Sequence, residues 1–258
     1  MGSLQNIRAI AMKELKGYYA SPVAWVMLGL FAFIFGVFFR TYVEYFAGMS
    51  TQAGFGGAPQ PVNVNDGLIR PLLSNASVLI LFILPMVTMR TYAEEKRSGT
   101  IELLLTSPLR DSEIVLGKFF GAVGLYAGLL LVSMVYVAIL FRYAEPEFLP
   151  LISGYLGLLL LGSCFISMGL FISSTTKNQM VAGAATFVLA LFFWIVSWMA
   201  SSSGPMTAEI LRYLSITDHF EDFGKGVIDT KHLVYYLSFI AFGIYLTLKA
   251  VETERWRG

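Results

Sequence analysis

Charge is scarce in this chain. Of 258 residues, only 14% are Asp, Glu, Lys or Arg, and 56% are hydrophobic. Soluble domains carry about 25% charged residues, so this composition excludes an ordinary soluble globular domain. It belongs to a polytopic helical membrane protein, consistent with a mean hydropathy of +0.68. The formal net charge of +1 gives no basic surface for nucleic acid. Cysteine is nearly absent: Cys164 stands alone in an apolar run, so a single chain can form neither a disulfide framework nor a cysteine-based metal site.

Chemistry-bearing motifs are missing too. The chain has no HExxH, no GxSxG, no Walker-type GxxxxGK[ST] and no paired carboxylates within an apolar run. Gly162-Ser163 invites comparison with an intramembrane serine protease, but no histidine partner sits within a span. The third, fourth and fifth apolar runs have no ionisable residue in their central stretches, which argues against an ion-coupled pump working through buried carboxylates. His219 stands near Asp218, Glu221 and Asp222; one histidine among scattered carboxylates reads better as a solvated acidic loop than as a metal site. The expectation is a protein that is no enzyme and binds no cofactor or metal itself.

What is present is a series of long apolar runs. About 20 apolar residues are needed to cross the hydrocarbon of a bilayer. Six runs qualify, at 22–42, 70–91, 118–141, 151–173, 179–201 and 232–250. The first could be mistaken for a signal peptide, but Val23–Phe39 is too long for one and has no small-residue cleavage pattern beside it, so it reads as a retained span. Pro85 removes a backbone hydrogen bond and should kink the second span. With the N-terminus in the cytoplasm, twelve Lys/Arg fall inside and six outside. The positive-inside rule then places both termini in the cytoplasm.

Around these spans lie three kinds of segment. Residues 3–18 carry Leu4, Ile7, Ala11, Leu15 and Tyr18 at helical spacing, with Arg8, Lys13 and Lys16 off that stripe, as in an amphipathic interface helix. Residues 43–69 include GFGGAPQPVNVND, a composition expected to form a flexible outer loop. Residues 201–231 are too long for a turn and too apolar for a free loop. Thr207–Leu214 and Thr217–Gly226 read as short capped helices, which fit re-entrant half-helices in the outer leaflet. Small residues such as Gly154, Gly157, Gly162, Gly169 and Gly183 read as close-packing faces of the fourth and fifth spans.

The exception to the scarcity of charge is RTYAEEKRSGTIELLLTSPLRDSEIVLGK, residues 90–118, with five of the 18 basic and five of the 17 acidic residues. It must be a water-facing loop. Glu94-Glu95-Lys96-Arg97 should continue the second span, and Gly99 permits a sharp change of direction. Thr100 should cap a short helix with Glu102 in its first turn. Ile101, Leu103, Leu104 and Leu105 would give that helix an apolar side, Ser107-Pro108 should end it, and Asp111 or Ser112 should cap the next. Four large aliphatics in a water-facing loop call either for a partner surface or for the bilayer.

This loop resembles that of bacterial ABC-2 type permeases, the membrane subunits of a class of ABC transporters, and most resembles the gliding-motility-associated permease branch. The likeness rests on Glu94-Glu95-Lys96-Arg97, Gly99-Thr100, Glu102, Leu104, Pro108, Glu113-Ile114 and Gly117-Lys118, and extends to chain length, six spans, the amphipathic N-terminal helix and SITDHFEDFGKGVID. The resemblance implies an all-α fold, one transmembrane domain over residues 1–258. It would have six transmembrane helices, an N-terminal interface helix, a cytoplasmic coupling helix and outer re-entrant half-helices, in a bacterial inner membrane. It implies two permease subunits, as a homodimer, over two separate ATPase subunits that bind ATP and Mg, with a periplasmic or membrane accessory protein as a further candidate partner. The coupling residues would be Glu94, Glu95, Lys96, Arg97, Gly99, Thr100, Glu102, Leu103, Leu104 and Pro108. Lys13, Lys16 and Lys177 would make a secondary cytoplasmic contact, and His219, Phe220 and Phe223 an outer gate.

Overall fold

The structure, a computed structural model, describes residues 2–55, 63–144, 146–202 and 204–255. Every regular element among them is helical. In chain order these are α1 (Ser3–Ala20), α2 (Pro22–Phe55), a π-helical turn (Asn65–Ile69), α3 (Arg70–Thr88), α4 (Ala93–Ser98), α5 (Thr100–Leu105) and α6 (Asp111–Leu140), then α7 (Phe148–Thr175), α8 (Gln179–Ser201), α9 (Pro205–Leu214), α10 (Ile216–Gly224) and α11 (Thr230–Arg255). Six helical stretches among the described residues are long and apolar enough to cross a membrane: Pro22–Thr51, Asn65–Ser98, Asp111–Leu140, Phe148–Thr175, Gln179–Ala200 and Thr230–Arg255.

α7 is the most enclosed of the six and packs against α3, α6, α8, α10 and α11. Its small residues are the reason. Phe220 and Phe223 of α10 press on Gly157, Tyr126 of α6 lies against Gly162, and Thr88 of α3 lies against Gly169. Gly243 of α11 in turn sits on Ser167. Without side chains at these points the helix backbones approach closely, and dispersion contacts replace lipid. Buried hydroxyls close the remaining polar valences: Tyr126 donates to the Leu158 carbonyl at 2.5 Å, and Tyr236 to that of Ile216 at 2.8 Å.

Four expectations are corrected. Residues 43–55 continue α2 as helix, because no proline interrupts VEYFAGMSTQAGF and the Arg40–Glu44 pair (2.7 Å) supports the turn before it. The Gly- and Pro-rich residues 56–62 of the expected loop lie outside the described residues. α3 passes Pro85 but stops at Thr88, so Glu94–Arg97 form a separate helix after the turn at 89–92. Helix starts differ too. Pro205 occupies the first turn of α9, a position where its missing N–H costs nothing, and Ser215 rather than Thr217 caps α10 by accepting from the Asp218 N–H.

The fourth correction concerns α1. Ile7, Ala11, Leu15 and Tyr18 of the expected stripe are half-buried, but Leu4 is exposed, and the inward face also takes in Ile10, which is buried, and Glu14. α1 lies in a groove on α6 made by Gly117, Gly121, Gly124 and Gly128, which meet Ile10, Glu14, Leu15 and Tyr19 respectively. A Cβ at Gly117 would stand 2.5 Å from the Ile10 Cβ, and one at Gly121 would stand 2.6 Å from the Glu14 Cβ. Gly117→Ala should therefore lower the thermal unfolding midpoint in detergent by an overpacking cost of about 1–3 kcal/mol. Gly48→Ala, where a Cβ meets nothing within 4 Å, should leave the midpoint unchanged or raise it.

Candidate functional site

The turn at 89–92 gathers the polar groups of one end of the bundle. Ser173 of α7 bridges the break in the chain. Its hydroxyl accepts from the Tyr92 and Ala93 N–H groups, each at 3.1 Å, and donates to the Met89 carbonyl at 3.2 Å. One side chain thus satisfies three backbone groups freed by the break between α3 and α4.

Beneath this turn lies Lys118, whose side chain is 1% exposed. Its ammonium donates to Glu14 Oε1 of α1 at 3.0 Å, to Glu95 Oε1 of α4 at 2.8 Å and to the Thr91 carbonyl at 3.0 Å. The Tyr92 ring lies 5.0 Å from Nζ. All three N–H donors are used, and an aromatic face covers the remaining side. A buried ammonium is tolerated only when so paired. Tyr18 of α1 extends the cluster with a contact of 3.3 Å to the Thr91 hydroxyl, and burial pushes its phenol up to about 12. It stays a neutral donor.

Three further bonds tie the same end together. Asn6 of α1 donates to Glu113 of α6 at 3.0 Å, Lys96 of α4 pairs with Glu254 of α11 at 2.9 Å, and Arg255 of α11 pairs with Asp111 of α6 at 3.0 Å. Glu113 also accepts from the Arg110 N–H, so α6 starts after Arg110 rather than on an Asp111 or Ser112 cap.

The hairpin of α4 and α5 has two faces. Gly99, at φ 73°, makes the reversal between them in the left-handed region where a side chain would be strained. Thr100 does not cap α5; its hydroxyl meets Ser98 instead, at 2.9 Å. Inward lie Glu95, Lys96 and Ile101, the last in the core. Outward lie Arg97, Thr100, Glu102, Leu103 and Pro108, with Leu103 74% exposed. Leu104 is half-buried, and Glu94 pairs with Arg90 at 3.0 Å. The expected coupling residues therefore divide into anchors and an exposed face. Lys13 and Lys16 are exposed on α1 and Lys177 on the α7–α8 turn, the first beside a cavity of about 250 Å³ between α1, the turn at 89–92 and α4.

His219, Phe220 and Phe223 lie together at the other end, on the buried face of α10. The two phenylalanines pack on α7 and His219 pairs with His232. No cluster of metal-ligating side chains occurs among the described residues. Sequence reading missed Glu14 and named Lys118 only within the charged loop and its Gly117-Lys118 motif, without its partners. Glu14 was visible as the one carboxylate at helical spacing from Ile7, Ile10 and Tyr18, and Lys118 as a cation one step from a glycine at the mouth of an apolar run.

A bundle of six membrane-length helices, with a charged hairpin anchored to one end, defines a multi-pass membrane protein. Its family follows from comparison: residues 58–217 match the ABC-2 family transporter proteins, more than half of the chain, and the chain belongs to that family. It is 27% identical over 144 residues to the "Probable multidrug ABC transporter permease YbhR" of Escherichia coli K12, covering 55% of this chain and 39% of that protein. It is 25% identical over 185 residues to the "Probable ABC transporter permease protein NosY" of Pseudomonas aeruginosa PAO1, covering 66% of this chain and 67% of that one. The matched region spans 39% of the length of the Escherichia coli relative.

Replacing Lys118 by Met should strand the Glu14 and Glu95 carboxylates and lower stability by about 3 kcal/mol, the low end for breaking a buried pair because both carboxylates retain some water. Adding Glu14→Gln and Glu95→Gln to Lys118→Met should recover most of that loss in thermal unfolding, which a purely steric role for Lys118 would not allow.

Proposed function

We propose that this chain is the membrane-spanning half of an ATP-driven exporter in a bacterial inner membrane. It works as a homodimer over two separate ATPase subunits, which bind the ATP and Mg. Both chain termini and the α4–α5 hairpin face the cytoplasm, and α9 and α10 lie on the outer side as re-entrant half-helices. The observation that carries this reading is the two-sided hairpin. Leu103 stands 74% exposed on α5, and burying a leucine against a partner is worth about 1.5–3 kcal/mol.

The anchored side explains how a push would travel. When ATP closes the ATPase pair, force on Glu102 and Leu103 passes through Gly99 to α4. From there Glu95 and Lys96 hand it to Lys118 of α6 and Glu254 of α11. Lys13, Lys16 and Lys177 offer positive charge beside the hairpin for the same partner. A second reading is that the motion drives a partner protein without carrying a solute; the long helical extension of α2 to Phe55 favours it by offering a contact beyond the bundle.

Glu95→Lys is a poor test, since it would place two ammonium groups at the buried site. Leu103→Asp changes only the exposed face. In complexes purified with the native ATPase it should reduce substrate-stimulated ATP hydrolysis at least about tenfold, the effect of losing roughly 1.4 kcal/mol of contact, with the thermal midpoint unchanged. Undiminished hydrolysis would overturn the coupling role of α5. Transport of solute into inverted vesicles, against release of a bound protein partner without transport, separates the two readings.

A further inference from the structure

His219 and His232 are the chain's two histidines, and both are buried, on α10 and α11. Their Nδ1 atoms are 2.6 Å apart. The outer nitrogens decide where the protons are. His219 Nε2 is 3.0 Å from the Tyr213 carbonyl, which only accepts, so that nitrogen carries a proton. His232 Nε2 is 2.9 Å from Asp222 Oδ2, and this carboxyl is held below its usual range by hydrogen bonds from Lys225 and His232. That nitrogen carries a proton as well. The two facing Nδ1 atoms then share one proton between them. Four ring nitrogens hold three protons, and the single positive charge is matched by Asp222.

We infer that this pair is a one-proton latch holding α9 and α10 onto α11, and that uptake of one more proton opens it. A fourth proton would set two N–H groups and two positive rings against each other at 2.6 Å. The rings must then part, and the Tyr213–His219–His232–Asp222 chain joining α9, α10 and α11 breaks. The latch forms one wall of a cavity of about 820 Å³ bounded also by Ser197, Trp198 and Glu209, so its release widens that cavity.

The surrounding charges set the direction. On α10, Asp218 is bonded to Ser197 of α8, Asp222 to Lys225, and Glu221 lies 3.9 Å from Lys225. From α9, Glu209, Arg212 and Tyr213 face the cavity, and from α11 so do Lys231, itself paired with Asp229, and His232. Tyr235 of α11 stacks on the His219 ring at 3.9 Å, and Tyr236 lies beyond it, 6.3 Å from that ring. Burial, with help from the His232 and Lys231 charges, holds His219 below the ordinary histidine range, outweighing the Tyr213 carbonyl and Asp218. The sign follows. The closed form resists the extra proton until pH falls below that depressed value, whereas an opened, hydrated histidine takes it near about 6.5. Below about pH 6.5 the opened pair binds a fourth proton that the closed pair excludes, so the closed form loses stability as pH falls; well above it the opened pair gives up the shared proton that the closed pair keeps, so stability is greatest near about pH 6.5.

Hydrogen exchange of the full chain in detergent, corrected for intrinsic rates, tests this. Protection of residues 216–224 should be greatest near about pH 6.5 and fall about tenfold by roughly pH 5, while α7 stays protected. In His219→Gln, which cannot take the proton, the same segment should change less than about twofold. Nitrogen spectra of the wild-type rings give an independent check near neutral pH: one imidazolium and one neutral ring protonated at Nε2. Two neutral rings, pH-independent protection, or an acid-induced loss retained in His219→Gln would each overturn the latch. This outcome does not depend on whether the protein exports a solute.

Discussion

An ammonium group withdrawn from water must find anions held still around it, and in this fold that requirement organises one whole end of the molecule. Lys118 meets it with Glu14 and Glu95, two carboxylates far apart in sequence and contributed by different helices. Neither can leave without stranding the charge. The N-terminal helix, the charged hairpin and α6 are therefore fastened to one another at a single atom. The interaction is a poor source of net stability, because desolvation consumes much of the Coulomb energy. Its value lies in geometry: it permits one arrangement of three helices and penalises the others.

The rest of that end follows from the same constraint. Glu14 reaches Lys118 because α1 sinks into a groove of glycines on α6. Glu95 reaches it because α3 stops at Thr88, and the break is made good by the Ser173 hydroxyl of α7. Lys96 and Glu254 add α11 to the assembly. What remains outside is the face of α5 with Leu103 and Glu102, rigidly backed and free to be covered. Such a part suits the reception of force proposed for it better than the binding of a small ligand.

The six spans were legible in the sequence because each is a run without charge, and hydrocarbon admits nothing else of that length. The hairpin reversal was legible at Gly99. Other features lay beyond linear reading. Helix propensity carried α2 past the residues that composition assigned to a loop. The glycine groove on α6 became meaningful only once α1 was seen to fill it, since glycines in a span look alike whether they meet a helix or lipid. The role of Lys118 stayed hidden until Glu14 and Glu95 closed around it, since a pairing with Glu14 across 104 residues leaves no local pattern. The histidines, 13 residues apart, looked like separate members of a polar loop because their meeting depends on how α10 folds back on α11.

Coupling through Lys118 requires α1 and the hairpin to move as one body. Spin labels at Lys16→Cys and Arg97→Cys, both exposed positions, report on this directly, since Cys164 is buried and out of reach of the label. In the complex with its ATPase, the distance between the labels should be the same without nucleotide and with a trapped ATP analogue. A shift of about 5 Å, one helical turn, would show that α1 and α4 part during the cycle, and the fastening at Lys118 would not be the element that transmits the stroke.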